Sequence, residues 1–210
     1  ISWHLLGRRP VHLDAFSKAI LRRCRDNRPE VLLTTGLAPV TRKVLIEIAA
    51  LGIRRINFLT DDPWNKAHRA EWFMKALPHY DEVYSPRRAV LSDLRQAGCK
   101  KVEYLPFAYD PDLFYPETTK HYRAAGFTGT DVVFAGGADD DRVPYMQALN
   151  QSGLDFMLYG SYWNRHPETR DCARGQADIE TLRLALSSAR VGLCLVRRAN
   201  RDGSCMRTFE

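Results

Sequence analysis

Short apolar runs alternate with amphipathic stretches along most of the chain. Phe16, Ala19, Ile20 and Cys24 recur at helical spacing, predicting a helix from Asp14, an N-cap residue, to about Asn27. Residues 31–35 read as a strand closed by Gly36. Pro39 opens a helix over 40–51, and Gly52 ends it in a left-handed cap. A second strand over 55–60 runs into the loop Asp61-Asp62-Pro63. Residues 66–77 predict a helix, 82–85 a short strand, 87–97 a helix capped by Gly98, and 102–105 a further strand.

From 106 to 130 the pattern lapses into Pro, Tyr and Asp, the composition of a connection between domains. Alternation resumes with an apolar run at 131–135, a Gly136-Gly137 turn and a helix near 142–151. Strands follow at 155–159 and 190–196, with a helix over 178–188 between them. Strand, helix, strand in this order predicts the α/β class, with parallel sheets covered by helices. The expected architecture is two Rossmann-like units. One spans 1–110 without an apparent first strand, the other spans 131–210, and 111–130 connects them. A start without Met and a stop at Phe209-Glu210 without a tail read as a fragment, with both units incomplete.

A mix of 45% hydrophobic and 27% charged residues excludes a disordered or collagen-like chain. No apolar run approaches the roughly 18–20 residues that cross a bilayer, so no transmembrane segment is expected. The opening ten residues, with His4, Arg8 and Arg9, lack the apolar core of a signal peptide. Five scattered cysteines with no Cys-x-x-Cys pair argue against a zinc ribbon or a disulfide framework and for a reducing cytoplasm. The net charge of +6 is unevenly spread. Residues 1–100 hold eighteen Lys and Arg against ten Asp and Glu, and the remainder thirteen against fifteen. That basic excess suits an acidic partner. Arg22, Arg23 and Arg25 equally read as the wet side of the first helix. No exposed aromatics are interleaved with them, and no nucleic-acid partner is expected.

Ligands of open parallel sheets bind beyond the carboxyl ends of the strands, which directs attention to the strand-end loops. Asp61 and Asp62 are candidate catalytic carboxylates, one of them able to deprotonate an acceptor hydroxyl; they also suit an Asx-turn with an N-cap. Gly136-Gly137 after a buried strand lets backbone approach a phosphate, although no dinucleotide fingerprint or P-loop is present. Asp139, Asp140 and Asp141 precede a helix, where negative charge offsets the dipole, and no metal is expected there. Near the end, Arg201, Asp202, Gly203 and Ser204 precede Arg207 and Glu210. Together they offer the cations, N–H donors and carboxylate that a nucleoside diphosphate with a ribose diol requires.

Four segments carry a resemblance. They are Leu59 to Trp64; Ser85-Pro86 with the helix to Gly98; Tyr104 to Pro116; and the set Val133 to Gly137, Tyr159 to Trp163 and Asp202 to Glu210. In these the chain resembles the spore-maturation-protein (CgeB-like) glycosyltransferases, which are GT-B enzymes with two Rossmann-like domains facing a cleft. The resemblance implies metal-independent transfer of a sugar from a nucleotide-sugar donor, with no further cofactor. It places donor contacts at Gly136, Gly137, Gly160, Arg201, Asp202, Gly203, Ser204 and Arg207, with Glu210 on the ribose. The first domain would hold the acceptor, an acidic or phosphorylated one given its charge. The competing expectation is a non-catalytic sugar-nucleotide-binding or structural protein that keeps the same shape.

Overall fold

Leu13, Ser17, Leu21 and Cys24 fall on one buried stripe at three- and four-residue spacing, and around it the chain forms helix α1 (Leu13–Asn27). The computed structural model describes residues 9–66 and 68–209. After α1 come strand β1 (Val31–Thr35), helix α2 (Arg42–Ala50) and strand β2 (Arg54–Phe58). Helix α3 (Glu71–Ala76), β3 (Glu82–Ser85), α4 (Leu91–Gln96) and β4 (Lys101–Tyr104) follow. The four strands pair in parallel in the order β1-β2-β3-β4. Leu45 and Ile48 of α2, Phe73 of α3 and Leu94 of α4 are fully buried in one core with Val83.

The second set begins with α5 (Thr119–Ala124) and continues through β5 (Thr130–Ala135), α6 (Val143–Gln151) and β6 (Phe156–Tyr159). Helix α7 (Ile179–Ser188) and β7 (Ala189–Leu193) close it. These strands are also parallel, in the order β6-β5-β7. Phe134 and Trp163 meet edge to face at 5.8 Å between centroids, over Met146 and Leu158. Among the described residues no helix is long and apolar enough to cross a membrane.

The chain divides into two compact units. The first runs to Pro106 and takes in Arg198–Gly203; the second holds Phe107–Arg197 and continues from Ser204. Two differences from the sequence-based division follow. The stretch 111–130 is part of the second unit, where Glu117 receives hydrogen bonds from Arg183 and His121 and donates its N–H to the Ser187 hydroxyl at 2.9 Å. Residues 198–203, expected in the second domain, belong to the first.

Candidate functional site

In the second unit the loops leaving β5 and β6 are tied together through their backbones. Gly136 donates to the Tyr159 carbonyl at 2.8 Å, Ala138 to Ser161 at 2.9 Å, and the Trp163 indole to Gly136 at 2.7 Å. The approach depends on Gly160, whose φ of +125° is open to glycine, and where a Cβ would collide with the Gly136 carbonyl. The Gly136 N–H is thereby engaged, which leaves Gly137 as the glycine of the pair to present a donor. Beside these loops lies a cavity of about 400 Å³, lined by Gly136, Gly137, Gly160, Ser161, Asp178 and Arg207 with Phe114 and Tyr159.

Asp178 caps α7, its carboxylate accepting from the Thr181 N–H at 2.8 Å, and the Thr181 hydrogen bonds hold its carboxyl below the usual range. The cavity thus combines one guanidinium, one carboxylate, a hydroxyl, glycine backbone and aromatic surface. These groups can hold a polar anion attached to a ring.

In the first unit the strand ends are crossed by residues 198–203. Asp62 is 2% exposed; one carboxylate oxygen accepts from the Trp64 N–H at 2.8 Å and the other from Arg201. Asn200 accepts from the Asp62 N–H at 3.1 Å and donates to Asp61 at 2.9 Å. Arg201 reaches on to Asp93 at 2.9 Å. Burial works against its charge, but Asp93 and Asp62 outweigh that and raise its pKa. Asp202 accepts from the Ala89 N–H at 2.9 Å, and its carbonyl accepts from Arg87 at 2.7 Å. Gly203, at φ +84°, passes so close that a Cβ would stand 2.9 Å from the Pro86 carbonyl.

Of the expected donor residues, Gly136, Gly137, Gly160 and Arg207 come together in the cavity of the second unit. Arg201, Asp202 and Gly203 do not: they lie in the first unit against Asp62, Arg87 and Ala89. Ser204 returns to the second unit without lining the cavity. Glu210 lies outside the described residues. Asp61 and Asp62 follow a strand end as expected, and each carboxylate accepts from the crossing segment, Asp62 buried and Asp61 half-buried. Asp139, of the acidic run, caps the Arg142 N–H at 3.0 Å and pairs with Arg197 at 2.9 Å. Among the described residues no group of three or more His, Cys, Asp or Glu could hold a metal ion.

Sequence reasoning missed Asp93 and Asp178 as site residues, and placed Asn200 only at the head of the terminal loop, not against Asp61 and Asp62. Asp178, just before an apolar helical repeat, carries a readable N-cap pattern. Asn200 and Asp93 have no local pattern that marks them.

No family model and no curated protein matches the sequence. Solved structures share its fold. A sucrose-phosphate synthase from Thermosynechococcus elongatus superposes with a TM-score of 0.63 at 16% identity over 86% of this chain and 53% of its own. A protein assigned as a UDP-N-acetylglucosamine 2-epimerase from Listeria monocytogenes gives 0.57 at 9% identity, over 86% and 56% respectively. The chain therefore spans little more than half the length of these structures. The parallel α/β architecture is that of the Rossmann-like units of GT-B proteins.

Proposed function

We propose that this chain serves a glycosyltransferase of the CgeB-like kind, working in the cytoplasm on a nucleotide-sugar donor without a metal or other cofactor. The observation that carries the reading is the second unit's cavity, where Gly137, Gly160 and Arg207 meet at the carboxyl ends of two parallel strands. In it Arg207 and the Gly137 backbone hold the diphosphate, and Phe114 and Tyr159 offer ring surface to the nucleoside. The fold neighbours bear the names of a sugar-phosphate enzyme and a UDP-sugar enzyme, which supports the donor class. The acceptor is taken to be acidic or phosphorylated, on the basic excess of residues 1–100.

A non-catalytic sugar-nucleotide-binding protein is the second reading, favoured by the engagement of both Asp61 and Asp62 with the crossing segment. Calorimetry of the intact chain with UDP, GDP and ADP tests what the two share. One of them should bind, and Arg207→Ala should weaken it about tenfold, since loss of a charged hydrogen bond of about 1.5 kcal/mol is one decade. Binding unaffected by Arg207→Ala, or no binding at all, refutes both. Release of nucleoside diphosphate from the matching nucleotide sugar then separates transferase from binder.

A further inference from the structure

On the helical face of the first unit, α1, α2 and α3 enclose an open groove of about 790 Å³. Asp14, Lys18, Leu21, Arg22 and Arg25 occupy one stripe of α1, recurring every three or four residues along this wall. Arg42 and Lys43 open α2 opposite, and Trp72 and Lys75 project from α3. Two acids of the groove are already paired: Asp14 with Arg9 at 2.7 Å and Glu47 with Arg25 at 2.8 Å. Lys18, Arg22, Arg42, Lys43 and Lys75 have no carboxylate partner among the described residues, so five uncompensated cations converge on one concavity.

The placement is adverse in the empty protein. Arg42 and Lys43 are the first two residues of α2, and its first turn holds no acid. Positive charge there opposes the helix dipole, and concave walls of low dielectric intensify a field of one sign. A bound anion removes both penalties at once. The groove's volume lies in the range of sites for small molecules, and buried Leu21, Val44 and half-buried Trp72 give it an apolar floor.

We infer that this groove is a binding site for a small, multiply phosphorylated organic molecule, held by Lys18, Arg22, Arg42, Lys43 and Lys75 with its carbon skeleton toward Trp72. The site shares no residue with the Asp61, Asp62 and Asp93 cluster and does not depend on the sugar-transfer reading. Concavity and the indole floor favour a small molecule over a nucleic acid or a lipid surface.

The test uses the intact chain and inorganic tripolyphosphate, by calorimetry and thermal unfolding. Wild type should bind, and more weakly in 200 mM salt than in 50 mM. The double variant Arg42→Gln/Lys43→Gln should lose at least tenfold in affinity. Without ligand it should melt about 1–3 °C higher than wild type, because removing two misplaced charges relieves the helix terminus. Arg23→Ala, on the same helix but outside the groove, should bind as wild type does. The inference is overturned if the double variant binds tripolyphosphate as tightly as wild type. It is overturned too if anionic vesicles or a single-stranded RNA bind more tightly than tripolyphosphate and lose that binding in the variant.

Discussion

At Gly160 a single missing methyl group decides whether two strand-end loops can meet. An added Cβ would stand against the Gly136 carbonyl, and the φ of +125° is itself hostile to a side chain. At Gly137 the nearest atom is the Ser161 carbonyl oxygen at 3.6 Å, an ordinary contact. Gly160→Ala should therefore destabilise by at least about 2 kcal/mol, from backbone strain of ~1–3 kcal/mol together with separation of the loops. For a chain of this size that is roughly 4–8 °C in melting temperature. Gly137→Ala should shift it far less. Differential scanning calorimetry of the two variants checks this contrast, and equal melting temperatures would remove Gly160 from its role.

Between elements, β2 and β3 are joined at their starts by Arg55 and Asp81. The Asp81 carboxylate accepts from the Arg55 N–H at 2.8 Å and from its guanidinium, whose side chain is 12% exposed. Burial alone would raise the Asp81 carboxyl, but the Arg55 hydrogen bonds prevail and hold it below its ordinary 3.8. A lowered folded pKa means stability present in full above about pH 4 and lost as the pH falls through the folded value. Asp81→Asn should thus be less stable than wild type by about 1–3 kcal/mol at pH 7, and the difference should shrink toward pH 2. Urea unfolding at both pH values measures it.

Legibility at this scale follows locality. β3 coincides with the expected 82–85, because the pair Val83-Tyr84 set between acids and Ser85-Pro86 is a local pattern. Helix α3 starts at Glu71 instead of 66, since the Asp62 turn and Pro63 occupy the residues after the strand. Residues 88–90 form a 3₁₀ turn ahead of α4, after the Ser85 hydroxyl has taken the Arg87 N–H. The last strand ends at Leu193, short of 196. The glycines of the cavity were visible because glycine after a buried strand has few uses. Asn200 with Asp61 and Arg201 with Asp62 were not, because the partners stand 139 positions apart and nothing local couples them.

Over the whole molecule, the chain passes from the first unit to the second at Pro106 and returns for six residues near its end. Tyr109 and Leu113 are exposed in the irregular stretch after the first crossing. Chymotrypsin should cut there, and the two fragments should elute together on size exclusion, held by Arg198–Gly203 in the first unit. With Arg201→Ala they should separate more readily as salt is raised. Separate elution of the wild-type fragments would show the segment to be dispensable. The same return path has a consequence for biosynthesis. Asp62 waits for Asn200 and Arg201, 138 and 139 codons downstream. At roughly 5–20 residues per second that interval is roughly 7–28 s on the ribosome. Over that time the nascent first sheet displays two carboxylates without their guanidinium and amide, and a ribosome stalled before codon 200 leaves it permanently unlatched.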